Sequence, residues 1–508
     1  MVNMAEEKTE NIKPNYVMFM PDQLRYDCLG AFGNKVIKTP NIDSLALNGT
    51  KFTNCFLQHS VCSQSRCSIF SSKYPHSTGK RGLNSLLQPY DDNLFKTLKN
   101  NGYHVCILGP RGDLFAEDAT ELSVDEYGFI VEPESSFFGG KLKKGQKPKS
   151  IETDEVFKLW GRLFYQGKRD AIVDYDEAVI KSAEQWLNTP PVGKPWVLLL
   201  PLIFPHCPFA VEEPYYSMYP RDLLPNPSDF KNKTGYEPQY FNKLRKDYGI
   251  ENCSLETWKE IIGVYYGMIS RIDDQLGRIL PLINSATTYT IFFTDHGEYL
   301  GDHGLIEKWP SGVSDSLVHE PLIISGPGVP KGETIDALTE MVDLGATLFD
   351  ISGLKPDYPI GGRSLLPLIN KEVSKVRDFS VSEGGFLLSE EPIIEYATFP
   401  YDLKAQIQHD YVEYVGRVVA LRDHNFTFVY RLYEKNELYS RRNDPQELHN
   451  LIDDQHYSKE ISNFEQLLLK FLVESSDHAP LKTDNRFPKV KLKSPKEQYE
   501  ERVAVSSD

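Results

Sequence analysis

Three short apolar runs in this chain each end in residues that can do chemistry. Pro21-Asp22-Gln23 closes the first, Pro205-His206 the second and Thr294-Asp295-His296-Gly297 the third. In a parallel α/β sheet ligands bind beyond the carboxyl ends of the strands, so these residues would face one site. Two carboxylates, an amide and an imidazole placed there form a mostly oxygen cage suited to one divalent cation. A strand-end Asp taken singly is more often a helix cap or a turn residue, but the four residues together outweigh that reading. The segment 61–68 carries a second kind of chemistry. Its small and apolar residues predict a helix starting near Cys62, with Arg66 one turn on and on the same face. Backbone N–H donors, the helix dipole and a guanidinium then converge on one anionic group beside a thiol.

The elements that must position these groups are legible in outline. Apolar runs at 16–20, 103–108, 196–204 and 289–293 alternate with helical patterns, which predicts βαβ units around a largely parallel sheet. Residues 258–280 repeat apolar side chains at helical spacing and read as a core helix. After about residue 375 the pattern changes. Runs at 411–421 and 425–432 read as antiparallel strands around Asp423-His424, and 461–473 as a helix. We therefore expect a main α/β domain over 1–375 that carries the candidate site, a small α+β domain over 376–480 and a charged tail over 481–508. Residues 139–150 and 212–240 read as surface insertions.

Cys62-Ser63-Gln64-Ser65-Arg66, continuing through Tyr74-Pro75-His76 and Thr78-Gly79, resembles the active-site signature of type I sulfatases, Cys-x-Pro-Ser-Arg followed by Thr-Gly. The resemblance spans most of the chain. Residues 17–27 are similar to the family's first strand with its metal ligands, and 39–45 to its Thr-Pro-Asn-Leu-Asp segment. Pro205-His206-Cys207-Pro208-Phe209 matches its Pro-His-x-Pro-Phe element. Residues 294–304 with Lys308 resemble its second metal motif and active-site lysine, and 437–451 its C-terminal signature. The resemblance implies an alkaline-phosphatase-like α/β fold and hydrolysis of a sulfate ester. Asp22, Gln23, Asp295 and His296 would hold a divalent cation, Ca²⁺ in most members, together with a nucleophile derived from Cys62. That cysteine becomes formylglycine in the family, whose hydrated aldehyde attacks sulfur with one hydroxyl and expels sulfate with the other. Arg66 would hold the nucleophile, and His206 and Lys308 the sulfate and leaving oxygen, with His206 a candidate general acid.

Four departures bear on function. Gln23 stands where many members have Asp, and His296 where many have Asn. Both variants occur in branches resembling phosphonate monoester and alkyl sulfate hydrolases, and the lowered ligand charge admits Mn²⁺ or Mg²⁺ as alternatives to Ca²⁺. Gln64 replaces the signature Pro, which the modifying enzymes read. Gly109-Pro110-Arg111-Gly112-Asp113 replaces Gly-Lys-Trp-His, where Arg111 can supply the Lys charge but Asp113 is a poor imidazole. The expected activity is hydrolysis of a small alkyl or aryl sulfate. The alternatives are phosphonate monoester or phosphodiester hydrolysis on the same site, and a silent fold that binds sulfated ligands through Arg66, Arg111, His206 and Lys308. His303 is read as a loop anchor, Cys67 and Cys207 as buried apolar residues, and His76 as lying outside the site.

Composition sets outer bounds on these readings. With 56 basic against 72 acidic side chains in 508 residues, a net charge of −16 argues against nucleic acid and anionic lipid as partners. The first apolar run is too short for a signal peptide or a membrane span, so we expect a cytoplasmic protein. Seven scattered cysteines imply neither a disulfide framework nor a zinc knuckle. Homo-oligomerisation is left open.

Overall fold

The computed structural model describes residues 13–134, 165–477, 481, 486 and 491–505, so the expected insertion at 139–150 lies outside the described residues. The apolar runs form strands, in chain order β1 (Asn15–Asp22), β2 (Thr50–Phe56), β3 (His104–Leu108), β4 (Glu126–Gly128), β5 (Tyr165–Lys168), β6 (Trp196–Pro205), β7 (Phe209–Val211), β8 (Thr288–Phe293), β9 (His319–Ser325), β10 (Glu333–Ile335) and β11 (Thr339–Glu340). The main sheet has the order β10-β2-β9-β8-β1-β6-β3-β4, with β11 also pairing β2. Only β9 runs antiparallel to its neighbours among these described strands. Every residue of β6 and β8 is buried, as a parallel strand covered on both faces requires.

Register brings the predicted residues to one edge. Asp22 lies opposite Pro205, and Phe19 opposite Phe292, so β1, β6 and β8 end together. Thr294 ties two of these ends: its hydroxyl donates to Pro21 O at 2.9 Å and accepts from Leu24 N at 3.3 Å. The end of β6 is clamped by Asp176, whose buried carboxylate accepts from Ile203 N at 2.7 Å and Phe204 N at 2.9 Å. Helix Leu255–Ile279, capped by Ser254, packs beneath this edge, close to the span its periodicity predicts. Its Tyr265 hydroxyl donates to Gln23 O at 2.6 Å and accepts from Arg25 N at 3.1 Å. That pair holds Gln23 at φ 66, a left-handed conformation uncommon outside glycine.

The C-terminal portion is a four-stranded antiparallel sheet, β12 (Ser380–Gly384), β13 (Val418–Arg422), β14 (Phe426–Arg431) and β15 (Glu437–Ser440), in that order. Helix Ser458–Ser475 covers one face with Phe464, Leu468 and Phe471. The hairpin at Asp423-His424 forms as expected, but the strand predicted over 411–421 is shorter. Residues Val412–Val415 make a 3₁₀ turn, and β13 begins only after Gly416. The two sheets are joined by buried charge: Arg422 donates to Asp315 at 2.7 Å, and Arg377 pairs with Glu340 and Asp343. Beyond the sheet the described tail includes an exposed helix, Pro495–Val505. Among the described residues no helix is long and apolar enough to cross a membrane.

Candidate active site

Helix Cys62–Ser71 begins at Cys62, as expected, with Val61 extended at its N-cap. Arg66 follows one turn on and is 1% exposed. Its guanidinium is spread over three carboxylates: Nε donates to Asp295 Oδ2 at 2.7 Å, Nη1 to Asp113 Oδ1 at 2.7 Å and Nη2 to Asp22 Oδ2 at 2.9 Å. Arg111 adds hydrogen bonds to Asp22 and, at 3.1 Å, to Asp113 Oδ2. Asp113 is thus the anion that locks two arginines together. Burial opposes ionisation of Asp22, but Arg111, His206, the His296 hydrogen bond and Arg66 outweigh it and hold its pKa well below the carboxylate range.

Cys62 Sγ lies 3.1 Å from His296 Nε2 and 3.8 Å from Asp22 Oδ1. The ligand atoms of Asp22, Cys62, Asp295 and His296 all lie within 4.8 Å of one another, and all four residues are buried. His296 Nδ1 donates to Gly297 O at 2.9 Å, which turns Nε2 toward the carboxylates. Burial lowers the pKa of His296, yet the charges of Cys62 and Asp295 and the Asp22 hydrogen bond push it well above the ordinary value. Arg66 and Arg111 take the Oδ2 atoms of Asp22 and Asp295, so the two Oδ1 atoms, the thiol and the imidazole are the donors that face one another and fit a divalent ion. Gln23 joins the group through its backbone N–H, which donates to Asp295 Oδ1 at 3.2 Å. Its side chain bridges: Oε1 accepts from Lys308 Nζ at 2.8 Å, and Nε2 donates to Glu298.

Lys308 stands at the mouth of this cluster, its Nζ 2.9 Å from His206 Nε2 and 2.8 Å from Glu307 Oε1. His206 donates from Nδ1 to Cys207 O, so Nε2 is the acceptor facing Lys308. Burial and Lys308 lower its pKa to about 3. With Nδ1 spent on that carbonyl and Nε2 turned to the ammonium, the ring is placed as an acceptor for Lys308. Glu307 lies at φ 67 and also pairs with Lys404 Nζ. His206, Cys207 and Glu307 form a second cluster of metal-ligating groups, but the two ammoniums already neutralise it.

These groups floor a cavity of about 360 Å³, with Cys62, Arg111, His206 and Lys308 at its base. The far wall comes from the C-terminal half of the chain: Phe386, Glu395, Tyr401, Lys404 and Gln408. No residue of the Tyr-rich stretch 212–240 lines it. Tyr240 is instead core, and His303 packs against Phe241 and Tyr299, away from the site. His76 bonds Glu383 at 2.7 Å, also outside. Sequence reasoning missed Glu298, Glu307, Glu395 and Lys404. Glu298 lies within the second metal motif and Glu307 just before its lysine, so both were within reach of a search for neighbouring carboxylates, whereas Glu395 and Lys404 carry no local signal.

Gly297 holds this geometry tightly. A Cβ there would lie 2.1 Å from Ser316 O and 3.0 Å from Glu320 Oε1. Because the nearest atom is backbone, Gly297→Ala is expected to cost about 1–3 kcal/mol of stability. Denaturant unfolding measures this, and an unchanged midpoint would contradict the packing argument.

A cysteine-led helix aimed at a carboxylate cluster, on the carboxyl edge of a mostly parallel sheet, places the chain in the alkaline-phosphatase-like class. A phosphonate monoester hydrolase of Agrobacterium radiobacter has this fold, with a TM-score of 0.70 and 23% identity, covering 91% of this chain and 96% of its own. The Sulfatase family model matches residues 14–354, and the chain belongs to that family of sulfuric ester hydrolases. An arylsulfatase of Clostridium perfringens is 26% identical over 493 residues, 91% of this chain and 95% of its own. A sulfatase of Formosa agariphila is 29% identical over 404 residues, 73% of this chain and 76% of its own.

Proposed function

We propose that the protein hydrolyses a compact sulfate monoester, with the nucleophile at position 62. The observation that carries this is the convergence of Cys62, Asp22, Asp295 and His296 within 4.8 Å beside a cavity based on Arg111, His206 and Lys308. Asp22, Asp295 and His296 would hold a divalent cation, with Ca²⁺ the first choice and Mn²⁺ or Mg²⁺ the alternatives, while the Gln23 side-chain oxygen is taken by Lys308 and its backbone N–H steadies Asp295. Such an ion supplies positive charge that favours the ionised nucleophile and screens the sulfate oxygens. Formylglycine at position 62 supplies, when hydrated, one hydroxyl for attack and a second for expelling sulfate.

The remaining work falls to side chains of this chain. Arg66 fixes Asp22 and Asp295 in one arrangement and keeps the helix start against them. Lys308 is the proton donor to the leaving oxygen, its ammonium oriented by Gln23 Oε1, Glu307 and the lone pair of His206 Nε2. His206 serves as a neutral orienting acceptor.

Release of 4-nitrophenolate from 4-nitrophenyl sulfate tests the reading. Treatment with EDTA is expected to lower the rate at least about a hundredfold, and Ca²⁺, Mn²⁺ or Mg²⁺ to restore it. Faster turnover of bis(4-nitrophenyl) phosphate under the same conditions would replace sulfate with a phosphodiester as the substrate class. Activity that survives EDTA unchanged would remove the metal from the scheme.

A further inference from the structure

We propose that Gln64, Glu395 and Gln408 form a selectivity wall that recognises hydroxyl groups on the alcohol half of the ester, with Glu395 its principal determinant. The inference rests on the sulfate monoester reading above and extends it to the leaving group. Gln64 is 2% exposed and lines the cavity. Its Nε2 donates to Arg81 O at 2.8 Å, which fixes the orientation of the amide. Oε1 is then a buried acceptor with no partner. A buried acceptor without a partner loses its hydration for nothing in return, unless a ligand supplies the donor. The Pro of the family signature has no such atom, so the substitution at position 64 adds a function to the cavity rather than only removing one.

Two further acceptors on the opposite wall point the same way. Gln408 spends its Nε2 on Lys404 O at 3.4 Å, and its Oε1 has no hydrogen bond among the described residues. Glu395 is half-buried and also makes no hydrogen bond among the described residues, its charged neighbours being Lys404, Lys308 and Glu307. The other acids in the cavity differ: Asp113 is spent on two arginines and Glu307 on two lysines. A cavity with surplus acceptors on two walls suits a ligand rich in donors. Glu395, the one carboxylate of the cavity without an ion pair among the described residues, already has Lys404 and Lys308 as charged neighbours that offset it, so the wall is assigned to neutral hydroxyls rather than to an ammonium. Phe386 and Tyr401 supply apolar surface for the carbon skeleton between them.

The test uses four sulfates on the full-length, metal-loaded protein: 4-nitrophenyl sulfate as reference, cyclohexyl sulfate, trans-cyclohexane-1,2-diol monosulfate and 2-aminocyclohexyl sulfate. The diol ester is expected to exceed cyclohexyl sulfate in kcat/KM by at least about tenfold, because the site's acceptors are left unpaired by the plain ring. Glu395→Ala is expected to reduce that ratio by about tenfold, and Gln64→Met by a smaller factor. A ratio between two substrates cancels any general loss of folded or active enzyme. Equal turnover of the two ring esters, a ratio unchanged by Glu395→Ala, or preference for the amino ester would each overturn the wall. If no sulfate is turned over, including the reference, the hydrolase reading fails instead. The ratio of Kd values for the diol and plain sulfates, measured by titration calorimetry, then decides the wall on its own.

Discussion

Cys62→Ala is expected to lower turnover of 4-nitrophenyl sulfate by on the order of 10⁴-fold or more, the scale on which loss of a covalent nucleophile is felt. The argument is positional. Cys62 opens a ten-residue helix, so its side chain sits where unpaired backbone N–H groups and the positive helix end favour an anion. It is also the only member of the buried cluster able to become a nucleophile, since Asp22 and Asp295 are held by Arg66, and His296 gives Nδ1–H to Gly297 O. Assay of sulfate release and peptide mass spectrometry of the Cys62 segment read the two halves of this expectation. The active fraction should track the fraction of chains in which the thiol has been oxidised to the aldehyde. Activity within tenfold of wild type in Cys62→Ala would place the nucleophile elsewhere.

Arg66→Met should produce the largest stability effect in the site, about 3–5 kcal/mol, because removing one partner leaves buried charge uncompensated. Asp22 and Asp295 are both fully buried, and the guanidinium touches each of them as well as Asp113. Arg111 still reaches Asp22 and Asp113 in the variant, but Asp295 loses its guanidinium. A divalent cation replaces part of that missing charge, so added Ca²⁺ should recover more stability in the variant than in the wild type. Arg66→Lys keeps the charge without the planar fork and should fall between them. Chemical denaturation in EDTA and in Ca²⁺ measures all three proteins. A loss below about 1 kcal/mol in EDTA would mean that the carboxylates are neutral and the guanidinium a packing element.

Much of the fold and the site was legible in the sequence, and for a physical reason. Strand ends in a parallel sheet are marked by abrupt changes from apolar to polar residues, so Asp22, His206 and Asp295 announced both their elements and their common edge. Cys62 and Arg66 were legible because a helix turn converts a four-residue spacing into a shared face. Asp113 was read as a poor imidazole, but its part as an anion was not legible. Its role depends on two arginines, one of them 47 residues away, that only tertiary packing brings to it. The proton role of His206 was less legible, because the sequence carries the ring but not the Cys207 carbonyl and Lys308 ammonium that face its two nitrogens. The strand read over 411–421 starts late, at Val418, because Tyr411, Val412, Tyr414 and Val415 suit a half-buried turn as well as a strand, and Gly416 breaks the run. Lys404 and Glu395 were invisible for a different reason. Their place over the cavity is set by how the C-terminal segment docks, not by any neighbour in sequence.

That last arrangement separates two kinds of inheritance within one chain. The residues proposed to make and break bonds lie between Asp22 and Lys308, where their mutual contacts leave little room for change: Gly297 admits no Cβ, and Arg66 answers to three carboxylates at once. The far wall, drawn from the stretch 386–408, meets the site residues through the Lys404–Glu307 pair and the Tyr401 hydroxyl beside Cys207 Sγ, and its Phe386, Glu395 and Gln408 face the cavity. Drift in that stretch can retune which alcohol is accepted while the bond-breaking apparatus stays as it is, so new substrates can be explored from a catalytically intact starting point.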